Sequence, residues 1–128
     1  MNRAELEHEI AKVIFPAFDR LEEDDFFIPY FEQGTQFEIH DDKFVGIDGF
    51  KHWMAGNRQT FKPNTLEHSA HSFVFESLED GRVEVEFLLD FKAETFSGEY
   101  FDSVVREKWL LNLSSHSIKI ERYFVEPA

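Results

Sequence analysis

The chain has 128 residues, enough for one hydrophobic core and too few for two comfortable ones, and it is 42% hydrophobic and 30% charged, as folded proteins are. Its 26 acidic and 13 basic residues give a formal net charge of −13, a field that repels phosphate backbones and anionic lipid, so nucleic acid and membrane surfaces are excluded as expected partners. There is no cysteine, hence no disulfide frame and no thiol nucleophile, whereas 16 phenylalanines, roughly three times ordinary usage, predict an interior of stiff rings.

In chain order, residues 3–22 carry Leu6, Ile10, Val13, Ala17 and Leu21 at spacings of three and four, which predicts an amphipathic helix. Glu5, Glu7, Glu9, Lys12 and Asp19 take its polar side. Asn2 and Glu5 have the spacing of a capping box, and Pro16, which cannot donate to the ladder, predicts a kink or break. "EEDDFFIPYF" (22–31) predicts a short second helical piece with Phe26, Phe27, Tyr30 and Phe31 packing inward. Phe37-Glu38-Ile39-His40 alternates as a short strand. "GIDGFKHWMAGN" (46–57) predicts a helix with Ile47, Phe50, Trp53 and Met54 on one side and a stop at Gly56-Asn57.

From residue 65 the hydrophobic period changes to two. A strand over 65–76 is followed by a turn at Asp80-Gly81, then by a strand on which Val83, Val85, Phe87, Leu89 and Phe91 share a face. "FSGEY" turns the chain into a strand over 99–112, and "SSHS" turns it into the last one, "IKIERYFV". The expected architecture is α+β: one domain over 1–128, with a sheet covering helices on one face. No apolar run approaches the roughly 20 residues of a bilayer span. The start, "MNRAELEHEIAKV", shows no basic leader before an apolar run, so the expected location is cytoplasmic.

Four stretches in this order resemble the NTF2-like superfamily, in its SnoaL-like branch of polyketide cyclases, scytalone dehydratases and ketosteroid isomerase-like proteins. "VGIDGFKHWM" (45–54) resembles the glycine-led third helix and "LEHSAHSFVF" (66–75) the histidine-bearing strand. "SGEYFDSVVREKWLL" (97–111) resembles the Gly-x-Tyr-x-Asp strand that ends in Trp, and "IKIERYF" (118–124) the terminal strand. The resemblance implies a cone-shaped fold, a curved antiparallel sheet wrapped around the N-terminal helices. It also implies an apolar cavity at the cone's mouth for a small apolar or polyketide-like molecule, a homodimer, and no cofactor. The superfamily holds isomerases, dehydratases and epoxide hydrolases as well as plain binding modules.

His68 and His71 lie three apart on a strand, so alternation sends them to opposite faces unless a bulge intervenes. On that reading His68 shares its face with Leu66, Ala70, Ser72 and Val74, and His71 sits beside Phe73 and Phe75, which would form an outward apolar patch for a dimer or partner. The resemblance makes His68 the first candidate for a catalytic acid or base; the alternative is a buried histidine with one hydrogen bond. It also places Ala93 where relatives carry a second histidine or an acid, which leaves a two-residue mechanism incomplete and favours a binding module as the rival reading. Glu38 and His40 share one strand face and are candidate pocket polar groups. Tyr100, Asp102 and Arg106 share parity on 99–112, Tyr100 as a donor to a ligand oxygen and Asp102 as its orienter or the salt-bridge partner of Arg106. Trp53, Tyr30, Phe87 and Phe91 are expected as core or pocket wall.

No metal is expected: His40-Asp41-Asp42, His52, His68 and His71 lack the spacing of a strong site. With no Gly-x-Ser-x-Gly elbow in the sequence, nucleophilic catalysis has no support either.

Overall fold

A computed structural model describes residues 1–128. The predicted capping box is formed: Asn2 Oδ1 accepts the Glu5 N–H at 2.8 Å, and the Asn2 N–H donates to Glu5 Oε1 at 3.0 Å. It opens α1 (Arg3–His8), which continues through a π-helical segment, Glu9–Ile14, into α2 (Phe15–Asp19). The break expected at Pro16 takes this form. In a regular turn the prolyl ring collides with the carbonyl four residues back; the wider winding just before it, with the Phe15 N–H reaching Ile10 O, relieves that crowding. The helix stops at Asp19 rather than 22, and Leu21 turns the chain with φ 50°.

The next helical piece is α3 (Asp24–Phe27) with a 3₁₀ turn, Ile28–Tyr30. Phe31 does not belong to it but begins β1 (Phe31–Ile39), which is much longer than the four alternating residues read from the sequence. β1 turns at His40, φ 55°, into β2 (Asp42–Val45), a strand not expected at all. Then come α4 (Gly46–Thr60), β3 (Glu67–Ser77), β4 (Arg82–Glu94), β5 (Tyr100–Asn112) and β6 (Lys119–Pro127). α4 runs past Gly56-Asn57 by three residues, because an isolated helical glycine costs only about 1 kcal/mol and tertiary packing overrides it.

The sheet has the order β2-β1-β6-β5-β4-β3. The last four strands form the expected antiparallel meander, but β1 pairs in parallel with β6, so the sheet is mixed. Its inner face buries Phe37, Val85, Phe87, Leu89, Trp109 and Leu111 against Leu6, Ile10, Phe15, Phe27, Phe50 and Met54 of the helices. This is the α+β layout of helices against one sheet face.

Strand β3 corrects the reading of its two phenylalanines. His68 opposes Phe91 and Ala70 opposes Leu89, as simple alternation requires, and His71 opposes Leu88 on the outer face. The register then slips by one residue, so that Val74 opposes Glu86, and Ser72 adopts φ 61°. This bulge swaps the parity of everything after it. Phe73 and Phe75 therefore face the core, where Phe73 stacks on Phe87 at 5.0 Å between centroids, and Val74 points outward, 63% exposed. The outward patch expected of Phe73 and Phe75 does not exist. Arg106 also departs from expectation: it pairs across to Glu86 at 3.4 Å instead of to Asp102 along its own strand, since cross-strand neighbours stand closer.

Glycines give this fold a test of sign. Gly46 opens α4 at φ 79°, and a Cβ there would lie 2.6 Å from Gln33 O, whereas Gly56 is helical with open space around it. Gly46→Ala is expected to lower stability by about 2 kcal/mol or more from left-handed backbone and clash together. Gly56→Ala is expected to raise it by about 0.5–1 kcal/mol. Urea unfolding of both variants beside the parent measures the two shifts.

Candidate active site

A cavity of about 540 Å³ lies between the helices and the sheet's inner face. Its walls are mostly rings, among them Phe15, Phe18, Trp53, Phe61, Phe91 and Phe101. The exposed residues His40, Asp42, Ser103 and Pro127 stand at its mouth, and buried Met54, Glu107 and Tyr123 line it deeper in. No lysine or arginine lines it. Stiff rings leave such space because, unlike Leu or Met, they cannot bend to fill it.

Two polar groups stand out in this wall. The first is His68, on the inner face of β3, with a side chain only 15% exposed. Its ring stacks on Phe15 at 5.5 Å and lies 4.7 Å from Phe91. Nδ1 is 2.7 Å from Asp19 Oδ1, at the end of α2. A carboxylate only accepts, so Nδ1 carries the hydrogen and donates it. In the neutral ring Nε2 is then the nitrogen with the lone pair, on a residue that lines the cavity. Asp19 escaped the sequence reading because helical periodicity put it on the polar side; only the packing of α2 against β3 brings it to the histidine.

The second is Glu107 of β5, 2% exposed. Strand alternation that points Val105, Trp109 and Leu111 inward points Glu107 inward too. The Trp109 Nε1–H donates to Glu107 Oε1 at 3.0 Å, and the Tyr123 hydroxyl lies beside the carboxyl. Desolvation dominates these two donors: burial pushes the Glu107 carboxyl up to about 8. Burial first, and the neighbouring Glu107 second, holds the Tyr123 hydroxyl protonated well above its ordinary range. Near neutral pH both groups are therefore hydrogen-bond donors. Sequence reasoning passed over Glu107, although an acid at the parity of Val105, Trp109 and Leu111 was the available signal.

Of the residues singled out from sequence, His68, Trp53, Phe91 and His40 line the cavity, His40 at its rim. The others do not. Glu38 faces the outer side of the sheet, within 3.7 Å of Lys43. Its partner in the expected pair, His40, is not on the strand at all but in the turn after it. Tyr100 is 67% exposed and Asp102 is exposed, both on the outer parity of β5. Tyr30 donates its hydroxyl to Glu9 at 2.5 Å. Phe87 is buried behind the wall, edge-on to Phe15 and Trp109. Ala93 is fully buried. No three His, Asp or Glu side chains converge as a metal site would need.

No protein-family model matches the sequence, and no curated protein does. Solved structures do. A protein from Novosphingobium aromaticivorans, provisionally named an aromatic ring hydroxylase, superposes with a TM-score of 0.83 at 15% identity, over 97% of this chain and 86% of that one. An NTF2-like protein from Cytophaga hutchinsonii gives 0.77 at 13% identity, over 100% of both chains. A second Novosphingobium protein, provisionally named a scytalone dehydratase, gives 0.74 at 12% identity, over 100% of this chain and 89% of that one. At these identities the likeness is one of fold, and the fold is NTF2-like.

Burial of Glu107 makes stability depend on pH in a defined direction. The folded state holds a proton there up to about 8, while the unfolded carboxyl releases it near 4.5. Between those values the folded state binds the extra proton, so stability falls as pH rises, by at most about 1.4 kcal/mol per pH unit. Glu107→Gln is expected to flatten the profile across that window and to exceed the parent in stability at its upper end, as measured by urea unfolding at a series of pH values.

Proposed function

We propose that the cavity binds a small, largely apolar ring compound and transfers a proton within it without a cofactor, as an isomerase or lyase does. One observation carries the reading: His68, with Asp19 on Nδ1, and the proton-holding Glu107 line the same ring-walled cavity. Proton-transfer catalysis needs a base at the carbon and a donor at the oxygen that gains charge.

On this reading His68 Nε2 removes a proton from carbon next to a carbonyl, and the C–H electron pair moves toward the carbonyl oxygen. The Glu107 carboxyl donates a hydrogen bond, or its proton, to that oxygen. Asp19 is a positioning residue: it fixes the tautomer and ring orientation of His68 and stabilises the imidazolium that forms. Return of the proton to another carbon completes an isomerisation. Its transfer from the His68 imidazolium to a departing β-hydroxyl, which leaves as water while the enol electrons form the carbon–carbon double bond and Glu107 regains any proton it gave, completes a dehydration. The ring walls exclude water and hold a flat substrate by its faces. The structural neighbour with a dehydratase name belongs to the second of these reaction classes. Ala93 leaves the position of a second histidine empty of chemistry, and Glu107, on the adjacent strand, supplies the missing acid.

A bicyclic ketone, 2-tetralone, tests this without knowledge of the natural substrate. In heavy water the protein is expected to accelerate deuterium exchange next to the carbonyl, followed by NMR. His68→Gln and Glu107→Gln are each expected to reduce the acceleration roughly a hundredfold, the typical worth of a positioned acid or base, and Asp19→Asn to reduce it by less. Binding of the ketone with no exchange in the parent protein would instead make the cavity a binding site alone.

A further inference from the structure

We infer that Ser72, His71 and Asp90 form a Ser–His–Asp site on the outer face of the sheet, opposite the cavity, which accepts the acyl group of small activated esters. Neighbours along a strand point to opposite faces, so Ser72 and His71 should be unable to meet. They meet because the β3 bulge places Ser72 in left-handed backbone at φ 61°, a conformation that costs a non-glycine residue about 1–2 kcal/mol. The hydroxyl thereby comes back to the outer face, with Oγ 2.8 Å from His71 Nδ1. On the far side of the ring, Nε2 is 3.1 Å from Asp90 Oδ1 on β4.

The hydrogen positions follow from what each atom can do. Asp90 only accepts, so in the neutral ring the hydrogen sits on His71 Nε2 and Nδ1 keeps the lone pair that receives the Ser72 hydroxyl. This is the chain of nucleophile, base and orienting carboxylate, with the two ring nitrogens exchanged relative to the serine proteases. All three groups can be reached from solvent: Ser72 is exposed, and the His71 and Asp90 side chains are 43% and 49% exposed. Val74 stands on the same face, 63% exposed, and offers apolar footing to a short acyl chain. The site is open and flat, so it provides little help to a poor leaving group, and the substrate class is therefore aryl esters of short acids.

In the step itself Ser72 Oγ attacks the ester carbonyl carbon and its proton passes to His71 Nδ1, while Asp90 stabilises the imidazolium. The bond from that carbon to the aryl oxygen then breaks, the phenolate departs, the imidazolium of His71 gives its extra proton to the departing oxygen or to solvent and becomes neutral, and the acyl group remains on Ser72 as a new ester. Attack by water, deprotonated by the neutral His71, releases the acid and restores the hydroxyl.

The probe is p-nitrophenyl acetate with the full chain, followed by p-nitrophenolate release and by peptide mass mapping. The expected result is a burst of one equivalent with a single acetyl group on the peptide that contains Ser72. Ser72→Gly, which keeps the left-handed backbone free of strain, is expected to abolish the burst. His71→Gln is expected to slow it roughly a hundredfold and Asp90→Asn by less. Glu107→Gln is expected to leave it unchanged, which separates this site from the cavity. A burst that survives in Ser72→Gly, an acetyl group found on a lysine or on His71, or acylation of Ser72 at the parent rate in His71→Gln would each overturn the assignment.

Discussion

Burying the Glu107 carboxyl as an anion, with no lysine or arginine in the wall around it, would cost several kcal/mol, and the chain avoids that cost by keeping the proton. Trp109 and Tyr123 cannot neutralise a charge; they are neutral donors that fix where the carboxyl points. A cation there would have held Glu107 ionised and turned it into an acceptor. The same wall holds no lysine or arginine to pair with an anionic ligand. Retention of one proton thus leaves a neutral donor in this wall where an ionised carboxylate would only accept.

Phe15 ties that acid to the histidine. Its ring touches His68 on one side and Trp109, which holds Glu107, on the other, with centroid separations of 5.5 and 5.7 Å. It can sit there only because α2 continues the line of α1 across the π-helical turn; a helix broken outright at Pro16 would have carried Phe15 and Asp19 away together. The imidazole is confined by Phe15, Phe91 and the Asp19 carboxylate, so its orientation is set before any ligand arrives. A histidine held in this way is fixed in orientation at the cavity wall, and its one hydrogen bond is also what the alternative of a buried, satisfied histidine requires.

Much of this was legible in the sequence, and the failures have physical reasons. Periodicity located α1, α4 and the four meander strands, because each buries one face over many residues. It missed β2, which is only four residues long, and shortened β1, whose first residues Glu32, Gln33 and Gly34 are exposed and show no alternation. His68 was reached by parity and resemblance together. Asp19 was beyond reach, since its role depends on a tertiary contact 49 residues apart in sequence. Glu107 was within reach and overlooked: attention to the even-numbered polar residues of 99–112, Tyr100 and Asp102, selected the outer face of that strand.

The bulge at Ser72 shows why parity arguments carry only as far as the ladder stays regular. Up to His71 the strand obeys alternation, which is why His68 faces the cavity and His71 does not. One extra residue then reverses the pattern. Without it Phe73 and Phe75 would lie on the outer face beside His71, Val74 would point at Phe87, and the core would lose the ring that stacks on Phe87. The extra residue therefore repairs the core, and inward burial of two phenylalanines more than offsets the strain of one left-handed serine. Core packing alone, however, asks only for a residue that tolerates φ 61°, and glycine or asparagine would do so at lower cost. A serine whose hydroxyl meets His71 is more than the core requires, and the surplus lies on the face where Asp90 completes the chain.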